Sequence, residues 1–278
     1  MAEATVKCPI CDSYSGELWG VEYRGQRIVK CRTCGLRFSD PQAVIAEEVY
    51  DDNYFADKAS RMFDPEKLLL VLKSDADSFA NIASVMKEKL SRDTSILDIG
   101  TGRGSFLILC KLLGMKNLLG TDITESNINF LRGFGIEIKL GDLKDLELGK
   151  YDIVTFHHVL EHLNDPADFL IRLKNIIDDG GVGHLLVPNE GSLNSRFKSL
   201  MSRYKFKKRA YKHLSPGHHL WFFDKCTLVK LIEKFGYKIE YIGTRATEKQ
   251  RGIISRLIHR IYDYFMINSW LEIVFSKK

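Results

Sequence analysis

Three groups of residues have the types and spacing to do chemistry. The first is His158-Val159-Leu160-Glu161-His162, an H-x-x-E-H string. On a helix, two histidines four residues apart can face one metal, with a glutamate beside them as base for hydrolysis. The second is Cys8-Pro-Ile-Cys11 with Cys31-Arg-Thr-Cys34, two pairs separated by 19 residues. Each pair offers two thiolates from one tight turn, and two turns complete a tetrahedron around zinc. Four protein ligands close the site, so this zinc would be structural. The third is Asp98-Ile99-Gly100-Thr101-Gly102-Arg103-Gly104, followed by Asp122 and Asp142. Alternating glycines let a backbone approach a ligand closely. Acids spaced like these can bind the ribose and base of a nucleoside.

The segments around these groups decide among the readings. SILDIG, NLLGTDI, IEIKLGD, YDIVTFHH and GVGHLLVPN read as five short apolar strands, and YKIEYIGT and LEIVFSKK as two more. Helical segments alternate with the first five, among them TGRGSFLILCKLLGM, TESNINFLRGFG with Thr124 as N-cap, and PADFLIRLKNIIDDGG after Asp165. This order predicts an α/β protein: a Rossmann-like, seven-stranded, mostly parallel sheet with helices on both faces. Ligands of such sheets bind beyond the carboxyl ends of the strands. Asp98, Asp122 and Asp142 fall there, with Ile123 and Leu143 directly after the second and third acids. The H-x-x-E-H string follows the fourth strand, and Pro166 limits any helix containing it to about two turns. The metal-hydrolase reading is set aside on that ground.

A small zinc-binding module is expected over residues 1–45, with LWGVEYRGQRIVKC as a hairpin turning near Arg24-Gly25. A helical lead-in follows over 46–90. Leu69, Leu72, Ala76, Phe79, Ala83, Met86 and Leu90 recur there at three- and four-residue steps, one apolar stripe. The domain proper covers 91–278. Cys110 and Cys226 sit in apolar contexts and are expected to be buried. Each of the two units is expected to have its own core.

The chain has 278 residues, 45% hydrophobic and 28% charged, with a net charge of +5. No apolar run is long enough to span a bilayer. The opening MAEATVKCPI has no basic-then-apolar stretch, so a cytoplasmic location is expected. The charge is uneven. Residues 191–223 contain no Asp or Glu but hold Arg196, Lys198, Arg203, Lys205, Lys207, Lys208, Arg209 and Lys212. This basic insertion, 191–218, follows the fifth strand and would overhang the site.

LDIGTGRG, GTDIT, GDL and DIVTFHHVLEHLNDP, in that order, resemble the successive motifs of the class I S-adenosylmethionine-dependent methyltransferases. The last is similar to a segment of their ubiquinone-biosynthesis-like branch. CPIC…CRTCGLRFSDP resembles the metal-binding leader of bacterial methyltransferases of sugar and surface-polysaccharide pathways. The resemblance implies S-adenosylmethionine bound by Asp98, Gly100, Gly102, Gly104, Asp122, Ile123, Asp142 and Leu143, with His157 where the chain passes the cofactor. It also implies that Glu161 and His162 mainly hold the strand-end turn, while His158 points toward the acceptor.

Transfer from a sulfonium needs mostly alignment, and an oxygen acceptor also needs a base. His158 and His219 are the candidates, because imidazole titrates near neutrality. His184 lies within an apolar strand and reads as structural. The expected acceptor is a small molecule or glycan hydroxyl. The basic insertion would grip its phosphate, as on a nucleotide sugar or lipid-linked glycan, or would instead be a solvated basic helix. The alternative is an RNA methyltransferase that grips its substrate through the zinc module and the insertion. Residues 251–265 carry an amphipathic stripe, for which a lid, a dimer helix or a membrane-surface contact is the expectation.

Overall fold

The computed structural model describes residues 4–40, 65–125, 131–246, 262 and 265–278. Two sheets organise them. The smaller is four-stranded, ordered β1-β2-β3-β9, with β1 Gly16–Val21, β2 Arg27–Cys31, β3 Arg37–Ser39 and β9 Trp221–Phe222. The expected hairpin is β1–β2, and Gly25 takes the positive φ of its turn, 97°.

The larger sheet is seven-stranded, ordered β10-β11-β8-β7-β4-β5-β6. Its strands are β4 Ser95–Ile99, β5 Asn117–Asp122, β6 Glu137–Leu140, β7 Tyr151–His157, β8 Ile177–Pro188, β10 Tyr237–Arg245 and β11 Trp270–Lys277. Strands β6, β5, β4, β7 and β8 run parallel, and β11 pairs antiparallel with both β8 and β10. The order reverses at β4, so the crevice of a doubly wound sheet opens at its carboxyl end. The described α-helices are α1 Pro65–Met86, α2 Ser105–Leu112, α3 Pro166–Ile176, α4 Leu193–Arg203 and α5 Lys225–Lys234, and short 3-10 helices cover Lys87–Lys89, Leu160–His162 and Lys212–Leu214. Asp165 caps α3 by accepting from the backbone N–H groups of Ala167 and Asp168. The helix expected to open at Thr124 falls partly outside the described residues, as does nearly all of 251–265.

Four expectations need correction. The helix α3 ends at Ile176, and Asp178 to Gly180 belong to β8, because Ile177 already pairs with Tyr151 in the sheet. The buried face of α1 runs through Asp75, Ser78, Ile82 and Met86, while Ala76 is exposed. Two polar residues on that face displace the apolar stripe by about one position. Cys110 is buried but Cys226 is exposed, since it lies in the first turn of α5 away from Leu228, Leu231 and Ile232. The cores are also not separate. Cys8, Val29, Cys31, Leu36 and Phe38 belong to one cluster with Leu97, Phe156, Leu185 and Phe275, and β9 lends its edge to β3.

Helix α4 is unusual in its packing. It buries Ser195, Ser199 and Ser202 and exposes Leu193, Phe197 and Leu200. The loop beyond it exposes Tyr204 and Phe206.

Candidate active site

The glycine loop leaves β4 at Ile99. Gly100, Gly102 and Gly104 all have positive φ, 65°, 52° and 66°. A side chain at Gly100 would meet Val159 Cγ2 at 2.6 Å, and one at Gly104 would meet Leu131 at 2.2 Å. At Gly102 nothing lies within 4 Å, so space is kept open over the loop. Gly104 caps the N-terminus of α2.

Asp122, at the end of β5, is 7% exposed. Its Oδ2 accepts the Gly102 N–H at 2.7 Å and its Oδ1 the Thr124 N–H at 2.8 Å. The acid therefore shapes the glycine loop as well as facing the crevice. Asp142 lies two residues beyond β6 and is exposed, accepting from the Lys144 N–H at 3.1 Å. Ile123 is 55% exposed and Leu143 is buried, so an apolar side chain stands open between the two acids.

Asp98 is buried. Thr101 donates to its Oδ2 at 2.7 Å and Thr155 to its Oδ1 at 2.5 Å. Burial pushes its carboxyl up to about 7, against those two bonds, with the charges of Asp75 and Asp122 adding to the rise. Asp75, from α1, is pushed up to about 6 by burial, and its Oδ2 has no hydrogen-bond partner among the described residues. Sequence reading missed Asp75, and the polar break in the α1 stripe was its only signal. Two buried carboxyls beside a glycine cradle suit a ligand that brings positive charge. S-adenosylmethionine has an ammonium and a sulfonium, together with a ribose for Asp122 and an adenine for Asp142, so the donor set fits it.

His157 ends β7 and starts a buried chain. Its Nε2 lies 2.7 Å from His184 Nδ1, and His184 Nε2 lies 2.7 Å from Glu272 Oε1. Arg245 pairs with Glu272 and also donates to the Ser74 carbonyl of α1. Burial lowers His157 well below its ordinary value and also lowers His184, so both rings are neutral. With Glu272 accepting, His184 receives a proton bond from His157, and the His157 Nδ1 is left as an acceptor. His184 is thus structural, as expected.

His158 sits at φ 55°, in the left-handed region that costs a non-glycine residue strain. Its N–H donates to the Leu186 carbonyl, its ring packs edge-on to Trp270 with centroids 4.8 Å apart, and its Nδ1 is 3.3 Å from Glu161 Oε1. About a third of its side chain is exposed. His219 comes from the loop before β9, near His162 and His218. His158 stands outside that histidine cluster, and Glu161 Oε1 links the two, 3.3 Å from His158 Nδ1 and 3.8 Å from His162 Nε2.

Beyond α4 lies a cavity of about 430 Å³ lined by Lys198, Lys207, Lys208, Arg209, Lys212 and His213. The four cysteines of the N-terminal pairs also come together. Cys8 and Cys34 lie 3.4 Å apart, as do Cys11 and Cys31, and all four sulfurs fall within 4.8 Å of one another.

A family model for a methyltransferase domain matches residues 61–242. Ribosomal protein L11 methyltransferase of Clostridium perfringens is 31% identical over 94 residues, 31% of this chain and 30% of that protein. Ubiquinone biosynthesis O-methyltransferase of Acinetobacter baylyi is 29% identical over 98 residues, 31% of this chain and 40% of that protein. The chain thus spans about a third of the length of the curated relatives it matches. Magnesium protoporphyrin IX methyltransferase of Synechocystis PCC 6803, solved with bound SAH, superposes with a TM-score of 0.57 at 16% identity, covering 84% of this chain and 99% of that one. The plantazolicin methyltransferase BpumL does so with a TM-score of 0.56 at 16% identity, covering 83% and 91%. These two likenesses establish the fold. Because the family model covers more than half of the chain, the chain belongs to the methyltransferase domain family.

Proposed function

We propose that the enzyme methylates a hydroxyl of a sugar or related small metabolite that carries a phosphate, in surface-polysaccharide or secondary metabolism. The observation that carries this reading is the cation-lined cavity beyond α4, supplied wholly by residues of the basic insertion. A cavity of that volume suits a small charged group. The exposed apolar residues Leu193, Phe197 and Leu200 on the same helix favour the lipid-linked end of the range.

When bound, S-adenosylmethionine supplies an electrophilic methyl on a charged sulfur. Gly100, Gly102 and Gly104 admit it to the backbone, Asp122 and Asp142 orient its nucleoside, and Asp98 and Asp75 face its positive end. Leu143 and Ile123 flank the adenine edge, and His157 borders the site. His158 takes the proton of the acceptor hydroxyl, held at its angle by Trp270 and Glu161. His219, the other base expected from the sequence, lies among His162 and His218 and is given no part in that proton transfer. The N-terminal cysteines Cys8, Cys11, Cys31 and Cys34 hold one structural zinc in an all-sulfur shell. We place the enzyme in the cytoplasm.

Labelled methyl transfer to a fractionated cell extract, with mass spectrometry of the product, tests the acceptor class. Label in sugar nucleotides or lipid-linked glycans is the expected result. Label confined to RNA would replace this reading with that of an RNA methyltransferase.

A further inference from the structure

We propose that His162, His218 and His219 form a second metal site, which takes a zinc-class divalent cation and keeps one coordination position open to an oxygen ligand. One potential ligand nitrogen from each ring lies within 4.8 Å of those of the other two. Ring centroids are 4.6 Å apart for His162 and His218, 4.9 Å for His162 and His219, and 5.3 Å for the stacked pair His218 and His219. The ligands come from the turn after β7 and from the loop before β9, so the cation would tie one to the other.

Two features go beyond proximity. The first is ring orientation. His162 Nδ1 is 2.7 Å from the His218 carbonyl oxygen. A carbonyl only accepts, so Nδ1 carries the proton and the lone pair is on Nε2. Metal-bound histidines almost always donate their other ring nitrogen to a carbonyl or carboxylate, which fixes the tautomer for ligation. The second feature is charge. Glu161 is 1% exposed, and its Oε1 lies 3.8 Å from His162 Nε2. Its Oε2 is buried with no hydrogen-bond partner among the described residues. A buried carboxylate oxygen left in that state is costly unless positive charge stands beside it. A cation among the three rings supplies that charge.

Tetrahedral zinc with nitrogen at about 2.0–2.1 Å separates its ligands by roughly 3.3 Å, so small side-chain rotations close the cluster. Imidazole ligands select zinc, copper or nickel over magnesium and calcium. All three histidines are partly exposed, whereas Cys8 and Cys31 of the sulfur quartet are buried. Three protein ligands at an accessible position leave room for an exchangeable ligand. That ligand is water in the resting protein. Under the acceptor reading above, and resting on it, an acceptor oxygen takes the same position. The H-x-x-E-H string therefore contributes one ligand, His162, and the partners of that ligand lie 56 and 57 residues further along the chain.

Full-length protein, equilibrated with zinc and dialysed, should hold two zinc ions per chain by elemental analysis, with mixed sulfur and nitrogen neighbours by X-ray absorption. His218→Asn and His219→Gln should each lower the count by one and remove the nitrogen neighbours. If the cysteines hold no metal, the histidine site still predicts one zinc with nitrogen and oxygen neighbours only, so the two sites are read separately. A wild-type protein with a single zinc in an all-sulfur shell, or with none, overturns the proposal without recourse to any variant. Nitrogen neighbours that persist in both folded variants also overturn it.

Discussion

The two halves of the strand-end crevice are built in opposite ways. At the ends of β4, β5 and β6 the site is made of short local devices: three positive-φ glycines, an acid that holds their loop, and a second acid after the next strand. At the ends of β7 and β8 it is made of side chains brought together from far apart. His158 meets Trp270, His162 meets His218 and His219, and His157 reaches Arg245 through His184 and Glu272. The half proposed for the cofactor constrains backbone, where few residue types will do. The half proposed for the acceptor is a surface of adjustable side chains on the same scaffold, which is where substrates can differ between enzymes of one fold.

The largest effect should separate the halves. His158→Ala is expected to lower turnover by about 10²–10⁴-fold, as for loss of a general base, with cofactor affinity nearly intact. Steady-state kinetics and a cofactor titration together check it. Equal losses in both would mean that the halves are not independent.

The next effect belongs to the cofactor half alone. The fold favours the protonated form of Asp98, whose carboxyl burial raises from 3.8 to about 7. That stability is fully present below pH ~4 and is lost as pH rises through about 7. Cofactor-free protein should therefore melt at progressively lower temperature across this window. Asp98→Asn should flatten the trend and gain stability relative to wild type above neutrality, by at most about 4 kcal/mol. It should also weaken cofactor binding. Thermal unfolding of both proteins from acid to alkaline pH is the measurement, and parallel curves would refute the burial argument.

A smaller effect is expected in the basic insertion. Replacing Lys207, Lys208 and Arg209 together with Ala should raise the acceptor KM more than it lowers kcat, because charges that hold a phosphate equally in ground and transition states act through binding. A change in kcat alone would place these residues in the chemistry and blur the distinction between grip and catalysis. Removal of the proposed cysteine-bound zinc probes a different boundary. Since Cys8 and Cys31 share a core with Leu97 and Phe156, chelation should lower one unfolding transition for the whole chain and not melt the N-terminal strands separately. Two resolved transitions in calorimetry would restore the picture of independent cores.

What could be read from the sequence follows the same division. The seven strands and the glycine-acid series were legible because period, turn residues and strand-end acids are local signals. The pairing of Cys8, Cys11, Cys31 and Cys34 was legible because spacing nearly determines it. The histidine cluster was not, because its members lie far apart in the chain and meet only through the fold. The string around His162 suggested a metal for a reason that the fold does not use. Asp75 was hidden because an acid in an apolar stripe reads as a break in the pattern, when here it is the part of the helix turned to the site. The serine face of α4 inverted the usual rule, since a helix whose outward face is Leu193, Phe197 and Leu200 reads as packed the other way round.

The central claim is that S-adenosylmethionine sits on the cofactor half, and calorimetric titration of wild type and Asp122→Ala tests it most directly. The carboxylate of Asp122 orders the Gly102 loop, and in the proposed placement it is the group that faces the ribose. The account predicts binding to wild type at one cofactor per chain, weakened in the variant by about 1.5–3 kcal/mol, the worth of a hydrogen bond to a charged group. Unchanged affinity in a folded Asp122→Ala protein would contradict the placement of the cofactor.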